Sequence, residues 1–159
     1  MKRIIEILTT DLQGGYEGPN WIEISVKDTL TGVSTEKAFW QPPGDVHTIA
    51  AIVCHLIVWR KALIDVLENK KDWNVDQEGS FDTAAFGADN EQRWSNIKNA
   101  LNDTQQRLMN LLDNAEPVLD KKVPTRSYSY RYFISGTIQH DAYHLGQIVL
   151  LAKQANNNP

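Results

Sequence analysis

The stretch QHDAYHLGQ at residues 139–147 decides how this chain folds and what its interior presents. His140 and His144 are four residues apart, so on a helix their side chains lie on one face, one turn apart. Two imidazoles at this spacing can bind one transition-metal ion. The alternative is a pair of half-buried histidines that hydrogen bond to neighbouring groups.

The sequence around this stretch, from residue 130 to residue 153, is predicted to be one long helix. It contains no proline, and its apolar residues recur at helical spacing: Ile134, Ile138, Leu145, Ile148 and Ala152. Beside that apolar stripe runs a mixed one, made of Phe133, Thr137, His140, His144, Gln147 and Leu151. A purely structural helix has no need of inward imidazoles, so the mixed stripe favours a metal site.

The rest of the chain is predicted to be helical as well. Helical apolar patterns cover segments 2–13, 20–30, 49–69 and 90–112, and residues 34–37 form a single capped turn. No segment shows sustained strand-like alternation. The sequence therefore predicts one all-α domain over residues 1–159, an up-down four-helix bundle with a broken first helix.

Local signals predict where these helices begin and end. Gly14-Gly15 is expected to end the first helix, and Trp21 is expected on the apolar side of the second. The predicted N-caps are Ser34, Thr48 and Asn90.

The predicted helix 49–69 has an apolar arc too wide for a surface helix that packs against one partner. The arc consists of Ile49, Ile52, Val53, Leu56, Ile57, Trp59, Leu63, Ile64 and Leu67. This segment is predicted to be the central helix of the bundle, or to face a second subunit as well, and we expect a homodimer. The long connection that follows, over residues 70–90, is expected to be functional or anchored by its own aromatic residues.

Composition narrows the possible partners. The formal net charge is −4 and no basic run occurs, so we expect no nucleic-acid partner. No window approaches a membrane span, and the first ten residues lack the continuous apolar core of a signal peptide, so we expect no membrane partner. The single cysteine, Cys54, excludes an internal disulfide and fits a reducing compartment, so we expect a cytoplasmic protein in which Cys54 belongs to the core.

A third metal ligand is expected from another helix. His55 lies in the middle of the predicted central helix among apolar neighbours, where a buried imidazole needs a partner. Helical bundles build their sites from side chains on facing helices. His47 precedes that helix in a proline- and glycine-containing loop, about 12 Å from His55 along the axis. We therefore expect His47 at the mouth of a pocket and not on the same ion.

Three neutral imidazoles suit Zn²⁺ or Ni²⁺, with Fe²⁺ and Cu²⁺ as further options, and they leave at least one coordination position open. Bound water could attack an electrophile, or a bound thiol could become a thiolate. Further pocket candidates are Gln147, one turn beyond His144, and Tyr143 and Trp59. Asp141 points about 100° away from the histidine face, so a salt bridge or an inter-helix hydrogen bond is expected for it.

Two segments, IAAIVCHLIVW at 49–59 and QHDAYHLGQI at 139–148, together resemble the DinB-like superfamily, in particular its YfiT-like branch. GPNW at 18–21 and WQP at 40–42 fit the same branch. The resemblance covers nearly the whole chain. It implies a four-helix bundle with a three-histidine site for nickel or zinc, and frequently a homodimer. Carried over residue by residue, the ligands are His55, His140 and His144.

The resemblance also bears on function, because such proteins include thiol-dependent transferases and isomerases that use bacillithiol, mycothiol or glutathione, and others described as metal-dependent hydrolases. We hypothesise a metal-dependent enzyme that activates a low-molecular-weight thiol for S-transfer to an electrophile. One alternative is hydrolysis by metal-bound water, which lacks an obvious glutamate base near the histidines. A second is a metal-binding or sensing module without turnover, and a third is a structural bundle with no ion.

Overall fold

The structure is a computed structural model that describes residues 3–70 and 72–156. Its α-helices are α1 (Ile4–Glu17), α2 (Val26–Thr31), α3 (Thr35–Phe39), α4 (Ile49–Leu67), α5 (Asn90–Leu112) and α6 (Tyr130–Ala155). Short 3-10 turns lie at Gly79–Phe81, Ala84–Phe86 and Glu116–Val118. Within these residues no strand occurs, and the predicted all-α class is confirmed. None of the helices in the described ranges has the length and apolarity needed to cross a membrane.

Polar side chains begin most of these helices. Ser34 accepts a hydrogen bond from the Lys37 N–H at 3.3 Å, and Thr48 accepts one from the Ala51 N–H at 3.2 Å, so both predicted N-caps are confirmed. The predicted cap of α5 is wrong by one residue. Asp89 is the N-cap, accepting from the Gln92 N–H at 2.9 Å. Aspartate and asparagine cap equally well, so the sequence alone did not distinguish two adjacent candidates.

Helix α1 does not end at Gly14-Gly15, as predicted, but continues to Glu17. Gly14 serves close packing instead, because a Cβ there would lie 2.8 Å from the carbonyl oxygen of Pro19 in the returning loop. The helix ends at Gly18, whose φ of 74° lies in the left-handed region that favours glycine.

The predicted helix 20–30 is wrong in its first half, because α2 begins only at Val26. The side-chain amide of Asn20 donates to the carbonyl oxygens of Gly14 and Ile24, both at 2.7 Å. These bonds give the backbone an alternative to a helix and hold residues 20–25 as a loop. Trp21, expected on an apolar helix face, is 97% exposed.

Helix α4 is the centre of the molecule. It packs against α3, α5 and α6, and buried side chains occur along almost its whole length. The wide apolar arc that the sequence showed is therefore covered within a single chain. That arc no longer argues for a second subunit.

Two clusters of buried side chains fill the interior and fix the helix directions. One joins the first half of α4 to the first half of α5 and to the last turns of α6. The other joins the second half of α4 to the end of α5 and to the beginnings of α1 and α6. Helices α4 and α5 therefore run in the same direction, and α1 and α6 run against them.

The structure departs from the predicted alternating up-down order at the α4–α5 pair. Two parallel neighbours cannot be joined by a short turn, so the described residues between them, 68–70 and 72–89, must return along the length of α4. On their way they place the 3-10 turn Gly79–Phe81 against α4. This crossover brings residues that are distant in sequence to the histidines.

Candidate metal centre

Three histidines from two helices meet in the interior. His55 comes from α4, and His140 and His144 come from α6. The Nε2 atom of His140 lies 3.0 Å from Nε2 of His55 and 3.1 Å from Nε2 of His144. All three rings thus direct the same nitrogen to one place.

The spacing of these nitrogens suits one metal ion. Zn–N bonds of about 2.0–2.1 Å at a tetrahedral angle place neighbouring ligand nitrogens roughly 3.3 Å apart. The observed 3.0 and 3.1 Å are close to that value. The ligand atoms of all three histidines lie within 4.8 Å of one another, with the i, i+4 pair held by α6 and the third ring by the packing of α4 on α6.

A serine from the crossover orients His55. The hydroxyl of Ser80 donates to the carbonyl oxygen of Gln77 at 2.7 Å, so it can only accept from the Nδ1 of His55, which lies 2.6 Å away. Ser80 is 2% exposed, which keeps water from competing for this bond. The hydrogen of His55 is therefore on Nδ1, and its Nε2 presents a lone pair to the cluster.

A glutamine in the next turn of α6 orients His144 in the same way. The Gln147 Oε1 lies 2.6 Å from Nδ1 of His144, and the Gln147 Nε2 donates to the hydroxyl of Tyr143 at 3.1 Å. The amide oxygen faces the imidazole, so His144 donates from Nδ1 and also presents a lone pair from Nε2.

The hydrogen-bonding capacity of the three imidazoles is not satisfied by the described side chains, and His140 shows this most clearly. A neutral imidazole carries one hydrogen. If the hydrogen of His140 is on Nε2, it can bond to the Nε2 lone pair of only one of the other two histidines. If it is on Nδ1, the Nε2 lone pairs of all three histidines face one another. In both cases the buried Nδ1 of His140 has no partner in the described part of the chain. A bound cation accepts all three Nε2 lone pairs at once, so the donor set fits a metal.

Electrostatics keeps the three rings in the state that metal binding requires. Burial, and to a smaller extent the neighbouring imidazoles, lowers the pKa of His55 to about 4 and that of His140 to about 3. Burial also lowers the pKa of His144, against the effect of its hydrogen bond to Gln147. All three histidines are therefore neutral near pH 7, with lone pairs available for coordination.

The ring of Phe81, from the same crossover, covers His55. It stacks in parallel on His55 with ring centroids 4.2 Å apart, and on its other side it stacks on His47 at 3.7 Å. His47 is exposed and separated from the cluster by the thickness of this ring. The structure thus places His47 beside the site and not within it.

A cavity of about 770 Å³ opens next to His144. Three of the pocket candidates from the sequence, His47, Tyr143 and Gln147, line it, together with Phe81 and apolar residues that include Trp40, Ile52 and Leu151. Asp45 is its only carboxylate, and none of the described residues that line it is a lysine or an arginine. A ligand that approaches His144 therefore meets mainly apolar walls and no fixed cation.

Trp59, the fourth pocket candidate, lies elsewhere. Its ring centroid is 5.6 Å from that of His140 and 6.4 Å from that of His55. It lines a smaller cavity that shares no lining residue with the first. Of the four pocket candidates from the sequence, three therefore line one cavity and Trp59 lines another, and the two cavities reach different histidines.

Asp141, adjacent to His140, pairs with Arg60 of α4. The Arg60 Nη2 and Asp141 Oδ2 are 2.6 Å apart, and both side chains are almost wholly buried. The predicted salt bridge of Asp141 is confirmed, and burial raises the pKa of its carboxyl group while the guanidinium opposes that shift. Sequence analysis missed Arg60, because an arginine on a helix is normally exposed.

Cys54 is a core residue, as predicted. It is 1% exposed, and burial raises the pKa of its thiol to about 12. A thiol with such a pKa is not a nucleophile near pH 7.

Sequence analysis also missed Ser80 and did not place Phe81. The length of the 70–90 connection was the only signal that pointed toward them.

A comparison with protein-family models gives one finding for this chain. A model described as DinB superfamily matches residues 25–148, a range that contains all three histidines and the crossover with Ser80. No curated protein and no solved structure matches the chain.

Proposed function

This chain belongs to the DinB superfamily, and from that premise we propose that His55, His140 and His144 hold one divalent transition-metal ion, Zn²⁺ or Ni²⁺, in a metal-dependent enzyme. Superfamily membership and the buried three-histidine cluster fit a metal-binding protein. The observation that carries the proposal is the convergence of three Nε2 atoms, two of which have their tautomers fixed by Ser80 and Gln147.

We further propose that the reaction is the transfer of a low-molecular-weight thiol to an electrophile. A divalent ion held by His55, His140 and His144 would supply a Lewis acid that lowers the pKa of a thiol and so favours the thiolate. The chain's own residues orient the ligand rings, through the hydrogen bonds of Ser80 and Gln147 and the stacking of Phe81 on His55. The cavity beside His144 supplies space for a reactant to approach.

Hydrolysis is the second candidate, and one observation favours it. His47 lines the same cavity as His144, and its imidazole does not belong to the three-histidine cluster. An exposed imidazole at such a position can accept a proton from an attacking water. In this second proposal His47 would be the general base that the sequence did not reveal.

The finer family assignment and the oligomeric state are proposals too. We propose that the chain falls in the YfiT-like branch, on the strength of the GPNW and WQP segments. A homodimer rests only on that resemblance, because the apolar arc of α4 is covered within the chain. Sedimentation at micromolar concentration tests it directly.

The first test is elemental analysis of protein purified without a chelator or a histidine tag, with the double variant His140→Ala/His144→Ala and the control His47→Ala beside it. We expect about one equivalent of zinc or nickel in the parent and in the control, and none in the double variant. Absence of metal from the parent, even after addition of either ion, would overturn the proposal.

Turnover is tested next, with a thiol and an aryl halide as the electrophile. Thioether formation by the metal-loaded parent, lost in the double variant and retained in His47→Ala, supports thiol transfer. Ester hydrolysis that requires both the ion and His47 supports the hydrolase instead. Metal uptake without either product identifies a binding or sensing module.

A further inference from the structure

We propose that the smaller cavity, which reaches His140, is a second binding site that takes a flat, uncharged aromatic group. This aromatic slot has a volume of about 260 Å³ and is lined by Trp59, Tyr128, Phe133, Gly136, Thr137 and His140, with Tyr132 at its edge. It lies on the His140 side of the cluster, whereas the cavity of about 770 Å³ reaches His144.

The walls of the aromatic slot are rings that contact one another. Phe133 is at the centre of this arrangement, with its ring centroid 6.3 Å from Trp59 and 5.8 Å from Tyr128, both in edge-to-face geometry. Such rings offer a flat ligand the offset or edge-to-face contacts that aromatic pairs prefer. They also stabilise one another, so the slot is formed before a ligand arrives.

The slot offers a ligand no charged side chain. The Thr137 hydroxyl already donates to the carbonyl oxygen of Phe133 at 3.0 Å and is not available to a ligand as a donor. None of the described residues that line the slot is an Asp, Glu, Lys or Arg. A carboxylate or ammonium group placed there would lose hydration and meet no side chain of opposite charge.

The two cavities differ in size in a way that suits two different reactants. Small-molecule sites usually span about 300–1,000 Å³, so the large cavity can take a complete cosubstrate, while the slot takes one ring with a short substituent. Thiol transfer requires two reactants next to one ion. The assignment of the slot to the electrophile rests on the proposed function; the binding of an aromatic group there does not.

Gly136 offers a way to close the slot without touching a histidine. It lies one turn before His140 on α6, and a Cβ at this position would meet no atom within 4 Å. A leucine there points its side chain into the slot. Gly146 is a matched control, because it lies on the same helix, is equally open and lines neither cavity.

The test is ¹⁹F NMR line broadening of 4-fluorotoluene, with 4-fluorobenzoate as its charged counterpart. We expect the parent and Gly146→Leu to bind 4-fluorotoluene, at least tenfold more tightly than 4-fluorobenzoate. Gly136→Leu should bind it at least tenfold more weakly than the parent, with Gly136→Ala between them. The graded alanine variant keeps the test valid if the leucine variant does not fold.

The same measurement on protein freed of metal separates this inference from the proposed function. Binding of 4-fluorotoluene should persist without the ion, because the slot is made of side chains alone. Unchanged broadening in both Gly136 variants, or equal binding of 4-fluorobenzoate, would show that the slot is not the site and overturn the inference. A protein that binds no metal but shows the Gly136 dependence retains the slot and loses only the proposed function.

Discussion

Two groups of buried polar side chains join α4 to α6: the Arg60–Asp141 ion pair and the three-histidine cluster. They differ in how the cost of burying polar atoms is offset. Both groups leave buried polar atoms without a partner in the described ranges: Arg60 Nε and Nη1 and Asp141 Oδ1 in one, and His140 Nδ1 in the other. The difference lies in charge, because Arg60 and Asp141 form an ion pair in which each charge compensates the other, whereas the Nε2 lone pairs of the three histidines face one another with no positive group between them. The difference indicates that the pair holds the helices together, whereas the histidine cluster is built for something that binds to it.

The largest effect is expected when the ion pair between Arg60 and Asp141 is broken. Asp141→Ala leaves the guanidinium of Arg60 buried without a counter-charge, which should lower the free energy of unfolding by about 3–5 kcal/mol with or without metal. The exposed Asp11→Ala is the control and should change it by less than about 0.5 kcal/mol. Urea unfolding measures both. The double variant Arg60→Met/Asp141→Leu should recover most of the loss, and a failure to recover would mean that the pair does more than neutralise itself.

The second prediction concerns the binding of metal by the three-histidine cluster. Zinc or nickel at a hundred times its dissociation constant should stabilise the parent by about 2.7 kcal/mol, or raise its melting temperature by roughly 5–10 °C. The His140→Ala/His144→Ala variant should show no shift, while Asp141→Ala should keep one. Differential scanning calorimetry at fixed protein concentration gives the values. Equal shifts in all three proteins would place the ion elsewhere.

A smaller effect is expected from the groups that fix the tautomers. Ser80→Ala and Gln147→Leu each remove the acceptor of an Nδ1 hydrogen, so each should weaken metal binding about 10–100-fold. The exposed residues Ser95 and Gln139 supply matched controls, Ser95→Ala and Gln139→Leu, which should leave the affinity unchanged. Competition with a chromophoric chelator measures all four. If Ser80→Ala binds like the parent, His55 is held by the stacking of Phe81 alone.

The smallest effect is the pH dependence of the metal-free protein. The pKa of a free histidine is 6.5, and burial lowers that of His55 to about 4 and that of His140 to about 3. As the pH falls below 6.5, the unfolded chain takes up protons that the folded chain does not, so stability decreases until the folded histidines titrate as well.

This decrease is measured as the free energy of unfolding between pH 7.5 and pH 4.5. His55→Gln and His140→Gln should each show a shallower decrease than the parent. Comparing parent and variant removes the contribution of other groups, including Asp141, whose raised pKa acts in the opposite sense. Parallel curves for all three proteins would contradict the neutral, buried state of these rings.

Parts of the fold that depend on local sequence were predictable. The helical periodicity of residues 130–153, the caps at Ser34 and Thr48 and the absence of strand-like patterns all describe interactions within a few residues, and the structure agrees with each. The errors have short-range causes that helical periodicity does not show: Pro19 packs on Gly14, the hydrogen bonds of Asn20 hold the loop that contains Trp21, and Asp89 caps α5 in place of the adjacent Asn90. Gly14 is a glycine because Pro19 returns to it, not because a helix ends there.

The sequence by itself determined that two imidazoles share one face of α6 and that a third lies in an apolar helix, because both follow from helical spacing and composition. Only the tertiary structure decided that α4 and α5 run in the same direction, and that the crossover this requires brings Ser80 and Phe81 to His55. It also decided the pairing of Arg60 with Asp141 and the separation of Trp59 from Tyr143 into two cavities. These contacts join residues far apart in the chain, and their geometry depends on how whole helices pack, which no short stretch of sequence specifies.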